Sequence, residues 1–146
     1  MGLDLHTFIP NTDHRWVRIA DTKPGNVIFT AHENVLLERA ARELRCATVL
    51  SKHTFHAQTL KVVTDRGEIV LTPEHRLLVY MIDGKGPKWL AASEFKIGYR
   101  IRRLNPLWWD DYTYAEILRI EDAGEREVVD LRTNTGTFIA NCFVSR

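Results

Sequence analysis

Turn signals recur about every 8–12 residues along this chain, and that spacing leaves room for short strands and little else. Leu3 to Ile9 alternates apolar and polar residues, Pro10 to Asp13 turns the chain, and Trp16 to Ile19 reads as the return strand of a hairpin. A second turn, Lys23 to Asn26, leads into a strand over Val27 to Thr30. Cys46 to Leu50 and His56 to Thr64 read as two strands joined by Ser51 to Thr54, and Asp65 to Gly67 as a hairpin turn. Tyr114 to Glu121 and Glu127 to Thr133 read as strands around a turn at Asp122 to Gly124, and Thr137 to Val144 closes the chain. Only Glu33 to Arg45 has helical periodicity: Leu36, Leu37, Ala40, Ala41 and Leu44 share one face. The pattern predicts an all-β fold of curved hairpins closing into a pseudo-barrel or disc, with one short helical insertion and a single domain over residues 1–146.

Composition narrows the classes of function. Hydrophobic residues make up 45% of the 146 and charged residues 27%, the balance of a globular chain with a real core. A formal net charge of +1 gives no electrostatic case for nucleic acid or a membrane surface. No apolar run reaches the roughly 18–20 residues of a membrane span, and the first residues lack a signal-peptide core. The two cysteines, Cys46 and Cys142, are far apart in sequence, which argues against a disulfide scaffold and for a reducing compartment. A soluble, cytoplasmic, monomeric domain is the expectation.

Within the strand pattern, Gly67 to Tyr80 carries the chemistry. An alternating strand enters Thr72-Pro73-Glu74-His75, and an apolar run, Leu77 to Tyr80, leaves it. Pro73 fixes its own φ and pushes Thr72 out of the helical region, so these four residues form a stiff corner. A hydroxyl and an imidazole three positions apart on such a corner can address one backbone amide, His75 as donor or proton relay and Thr72 as hydrogen-bond partner. The alternative is a turn whose threonine caps the backbone and whose histidine sits at a sheet rim.

Thr72 to His75 resembles the T-x-x-H block of the Hint superfamily, the inteins and hedgehog autoprocessing domains. Trp89 to Ile101 resembles that family's W-x-x-A-x-x-L-x-x-G-D-x-V/I passage, with Tyr99 where an acidic residue is usual. Glu127 to Leu131 and Phe138 to Asn141 resemble its x-V-Y/F-D-L and F-V-A-N-G strands. The resemblance implies a mini-intein without a homing endonuclease, whose partners are its own flanking segments and which needs no cofactor and no metal. Excision would run through an acyl shift to the first side chain, transfer to a downstream nucleophile, cyclisation of a terminal asparagine, and a final shift to an amide. By the same resemblance His75 would act on the upstream amide with Thr72 beside it. Asp130 would assist deprotonation or the downstream cut; with an ordinary pKa of about 3.9, it needs burial to serve in the latter. Without the resemblance, Asp130 reads as a strand-end carboxylate and Asn141 as a turn residue. Two pseudo-symmetric halves are also implied, although residue identity does not show them.

Departures from the family pattern sit at both ends. Gly2-Leu3-Asp4-Leu5 resembles intein openings of the form C-L-D-L, which puts Gly2 at the position of the first nucleophile. Asn141 to Arg146 resembles N-G-I-V-V-H, which puts Arg146 at the position of the penultimate histidine, before the family's terminal asparagine. The expectation is a self-acting, single-turnover domain that is inactivated or truncated in this form, either an engineered, splicing-blocked intein or a natural degenerate relative. The alternatives are a bacterial intein-like or hedgehog-type domain that cleaves rather than splices, or a non-catalytic β-domain holding a protein partner through Trp108, Trp109, Tyr112 and Tyr114. Zinc at Cys46, His53, His56 and His75 is disfavoured, because His53 and His56 fall on opposite faces of a strand and no ligand pair has finger-like spacing. Cys142 reads as a small buried residue within an apolar run.

Overall fold

The computed structural model describes residues 1–31, 44–83, 86–106 and 112–146. The strands are β1 (Leu3–Asp4), β2 (Phe8–Pro10), β3 (Trp16–Arg18), β4 (Val27–Ala31), β5 (Leu44–Thr64), β6 (Gly67–Leu71), β7 (Arg76–Tyr80), β8 (Lys88–Ala91), β9 (Arg100–Leu104), β10 (Tyr112–Thr133), β11 (Phe138–Ala140) and β12 (Phe143–Ser145). Ten of them form one sheet in the order β11-β12-β7-β9-β10-β1-β6-β5-β4, with β8 on β7, while β2 and β3 pair as a separate hairpin. The described residues are mostly strand, and the all-β expectation holds.

Three local expectations differ from the structure. The first strand is two: Asp4 accepts from the His6 amide through its side chain (2.9 Å) and from the Thr7 amide through its carbonyl (3.0 Å), which turns the chain between β1 and β2. Ser51 to Thr54 do not separate two strands, because β5 runs unbroken against β10 from Val49 opposite Thr133 to Thr64 opposite Ile117. Nor does Asp122 to Gly124 turn the chain. It is a bulge in β10, with Gly124 at φ 75° and its carbonyl bound by the Thr59 hydroxyl at 2.8 Å. Of the helix expected over Glu33 to Arg45, Leu44 and Arg45 open β5; residues 33–43 lie outside the described residues, as do Trp108 and Trp109.

The two halves share one backbone plan. Ile19–Asp21 and Ala92–Glu94 are single 3-10 turns whose flanking residues have nearly the same angles. Each is followed by a lysine and a glycine in the left-handed region, Gly25 at φ 90° and Gly98 at φ 95°. The bonds repeat as well. Gly25 donates to Val49 at 2.8 Å and Val49 to Asn26 at 2.9 Å, while Gly98 donates to Ile117 at 2.9 Å and Ile117 to Tyr99 at 2.8 Å. Upstream, Pro10 faces Trp16 as Leu78 faces Trp89. The halves meet where Leu3 of β1 pairs with Leu71 of β6, both fully buried. One apolar cluster runs through that seam, and a second around Leu78, Leu104, Ile139 and Val144 is closed by Trp16, Trp89 and Tyr112.

Candidate functional site

The corner between β6 and β7 is closed by the His75 amide donating to the Thr72 carbonyl at 3.1 Å. Its return is pinned from outside, since Ser93 donates to the Pro73 carbonyl (2.8 Å) and Ala92 to the His75 carbonyl (2.9 Å). Four residues fastened in this way hold their side chains in fixed directions. Both Thr72 and His75 are buried.

The upstream segment docks on this corner. Gly2 donates its amide to the Thr72 hydroxyl at 2.9 Å, and the Thr72 amide donates back to the Gly2 carbonyl at 2.9 Å. The Met1 ammonium lies 3.5 Å from the exposed Glu74 carboxylate, a contact of small energetic weight. Asp130 follows Val129, the partner of Leu3 in β10, so the register carries it along the other flank of Gly2. It is half-buried, and its carboxylate meets the exposed Arg132 guanidinium at 3.7 Å.

Gly2 itself is tightly enclosed. A Cβ on residue 2 would lie 2.8 Å from Cγ2 and 3.0 Å from Cβ of Val128, and 3.2 Å from the Phe55 ring. Valine has no slack in its side chain, so a larger residue here displaces β10 or the ring. The space of a first side chain is filled from across the sheet, by residues that sequence reasoning did not single out.

The downstream strand reaches the same corner at His75. Ser145 pairs with Leu77, Arg146 donates its amide to the Arg76 carbonyl at 3.1 Å, and the Ser145 hydroxyl lies 2.5 Å from Nε2 of His75. The His75 ring packs edge-on against Phe138, with centroids 6.0 Å apart, and its Nδ1 is buried with no partner among the described residues. Burial lowers the ring's pKa to about 4, helped by the nearby N-terminal ammonium and opposed by Glu74. The imidazole is therefore neutral at pH 7. Arg146 places its guanidinium over the Trp89 ring, 5.6 Å from the centroid.

Asn141 stands apart from this cluster. Its backbone amide and side-chain Oδ1 clasp the Phe8 carbonyl and amide (both 2.8 Å), and its Nδ2 donates to the Glu68 carbonyl at 3.0 Å. With φ at 49°, followed by Cys142 at 73°, it is the buckle of the β11–β12 turn and ties that hairpin to β2 and β6. Cys142 is half-buried rather than fully buried, its thiol pushed up by desolvation against the pull of Arg103. No group of three or more metal-ligating side chains occurs among the described residues, and no described helix is long and apolar enough to cross a membrane.

No family model and no curated protein matches the sequence. Solved structures do. The Ssp DnaB mini-intein variant M86 superposes with a TM-score of 0.80 at 22% identity, over 99% of this chain and 93% of that one. The DnaB intein from Synechocystis sp. PCC 6803 gives 0.79 at 22%, over 99% and 96%, and the DnaX mini intein from Spirulina platensis 0.77 at 20%, over 100% and 99%. These likenesses span nearly the whole of both chains. The chain has the Hint fold of the mini-inteins.

Proposed function

We propose that this chain is a protein-splicing domain acting on its own flanking segments, blocked at its first step because Gly2 stands where the attacking side chain would be. The observation that carries this reading is the convergence on one corner: Gly2 is bonded to Thr72, and the strand that ends in Ser145 is bonded to His75. Cut-and-join chemistry needs both junctions at one address, because holding two reacting groups together replaces an encounter with a unimolecular step. In this reading Thr72 orients the scissile amide, and the neutral ring of His75 hydrogen-bonds its nitrogen as the bond weakens. Asp130, on the far flank of Gly2, takes the proton from an attacking thiol or hydroxyl. Asn141 holds the turn that aims β12, and Arg146 occupies the place of the penultimate histidine without its chemistry. Glycine offers no attacking atom, so the Met1–Gly2 bond stays intact.

The test supplies an attacking side chain at position 2. Gly2→Cys is paired with Val128→Ala to make room for the side chain, an asparagine is added after Arg146, and tagged segments flank both ends. Thiol-dependent release of the upstream tag and appearance of the joined flanks are expected, and His75→Ala abolishes both. A restored chain that folds, as judged by circular dichroism, yet releases no upstream segment overturns the splicing reading.

A further inference from the structure

The hydrogen bond between Ser145 and His75 adds a side-chain contact to the backbone pairing between β12 and the start of β7. Ser145 lies in the penultimate position of the sequence, is fully buried, and makes no other side-chain hydrogen bond among the described residues. The other half of the molecule supplies an internal control. There Asn141 docks its amide on Phe8 as Arg146 docks on Arg76, so the counterpart of Ser145 is Ala140. Thr7 occupies the corner position of His75, closing onto Asp4 as His75 closes onto Thr72, and its buried hydroxyl has no partner among the described residues. A side-chain bond from the closing hairpin to the corner is therefore not something the fold requires. It is present in one half only.

Because the ring is neutral, one nitrogen carries hydrogen and the other a lone pair, and the neighbours decide which. If Nε2 carried the hydrogen and donated to Ser145, both the serine hydroxyl hydrogen and the Nδ1 lone pair would be buried without partners. If Ser145 donates to the Nε2 lone pair, the groups left unsatisfied are the Nδ1 hydrogen and the serine oxygen's lone pairs. Each arrangement leaves one donor unmet, but a hydroxyl oxygen is a weaker acceptor than a bare imidazole nitrogen and costs less to leave unused, so the second arrangement is favoured. It leaves a donor on Nδ1.

We propose that Ser145 is a positioning residue that sets His75 in the Nδ1–H tautomer, so that the seating of β12 determines whether the corner presents a hydrogen-bond donor. On the splicing reading, on which this role rests for its purpose, the upstream amide is addressed only while the downstream strand is in place. Unseating β12 removes the serine from Nε2 and releases the ring to the opposite tautomer. The order of events at the two junctions is then built into one hydroxyl.

The tautomer itself is measurable without any splicing activity. Long-range nitrogen–proton NMR on the 15N-histidine-labelled chain as it stands is expected to show His75 with hydrogen on Nδ1 and a bare Nε2 at pH 7. Ser145→Ala is expected to shift the tautomer ratio toward Nε2–H by roughly fivefold, the worth of one neutral hydrogen bond, and Ser145→Thr to restore it. If the alanine variant does not fold, Ser145→Cys keeps the size while weakening the donor and is expected to move the ratio the same way. An Nε2–H ring in the unaltered chain, or an unchanged ratio in the folded serine variants, overturns the proposal. In the restored chain carrying Gly2→Cys and Val128→Ala, adding Ser145→Ala is expected to slow thiol-dependent upstream release about tenfold, a fraction of a general acid–base contribution. A tautomer that follows Ser145 in a restored chain that never releases its upstream segment supports the positioning role and overturns the splicing reading alone.

Discussion

His75 carries the clearest titration in the molecule. Its folded pKa of about 4 lies below the 6.5 of an exposed histidine. Between those values the unfolded chain holds a proton that the folded chain does not. The contribution is thus fully present above pH 6.5 and is lost as pH falls toward 4, amounting to roughly 3 kcal/mol at about 1.4 kcal/mol per unit. Urea unfolding at pH 7 and pH 4.5 should show this loss, and His75→Gln should flatten it while leaving the slopes due to other groups. Gly2 makes a second prediction at this scale. Gly2→Ala drives a methyl into Val128 and is expected to cost about 1–3 kcal/mol, with Val128→Ala in the same chain recovering part of that cost. A neutral Gly2→Ala by thermal unfolding would mean that β10 gives way easily.

Strand boundaries follow from groups that single positions do not advertise. Leu3 to Ile9 alternates well enough to read as one strand, but the Asp4 side chain captures the amide two residues on and breaks it. Asp122 to Gly124 has the composition of a turn, and an isolated hairpin would turn there. Here β5 and β10 pair from Val49 opposite Thr133 to Thr64 opposite Ile117, and the glycine is absorbed as a bulge. Gly124→Ala should therefore cost about 1 kcal/mol, from the left-handed backbone alone, because a Cβ meets nothing within 4 Å. Equilibrium denaturation checks this, and a loss of several kcal/mol would argue for a packing role. By contrast Phe143 is fully buried in β12, where it faces Arg103 of β9, and Phe143→Ala is expected to cost about 3–5 kcal/mol.

At the scale of the whole molecule, the all-β plan and the Thr72–His75 corner were legible because both depend on neighbours in sequence: alternation, a proline, and a hydroxyl and imidazole three apart. The twofold plan was written in the sequence too, but sparsely. Trp16, Lys23, Gly25 and Ile28 recur as Trp89, Lys96, Gly98 and Ile101, a W-x6-K-x-G-x2-I spacing that residue identity over whole halves dilutes away. The lysine and glycine make the turn, the tryptophan closes a cluster, and the isoleucine is core; the positions between are free to vary. Ser145 and the Val128–Phe55 wall were not legible. Their roles arise only from strand pairing across 70 or more residues, which no local pattern records.

Gly2 and Ser145 are both bonded to the corner formed by Thr72 to His75. A unit with this property can interrupt another polypeptide at a surface loop without prising that loop apart. The entropy lost in closing a loop grows only slowly with its length, so what would matter to an interrupted protein is the gap between entry and exit, which two strands bonded to one corner would keep small. The converse also holds: opening the chain at a loop far from the corner, and joining the present ends by a short linker, would preserve every strand pairing described above.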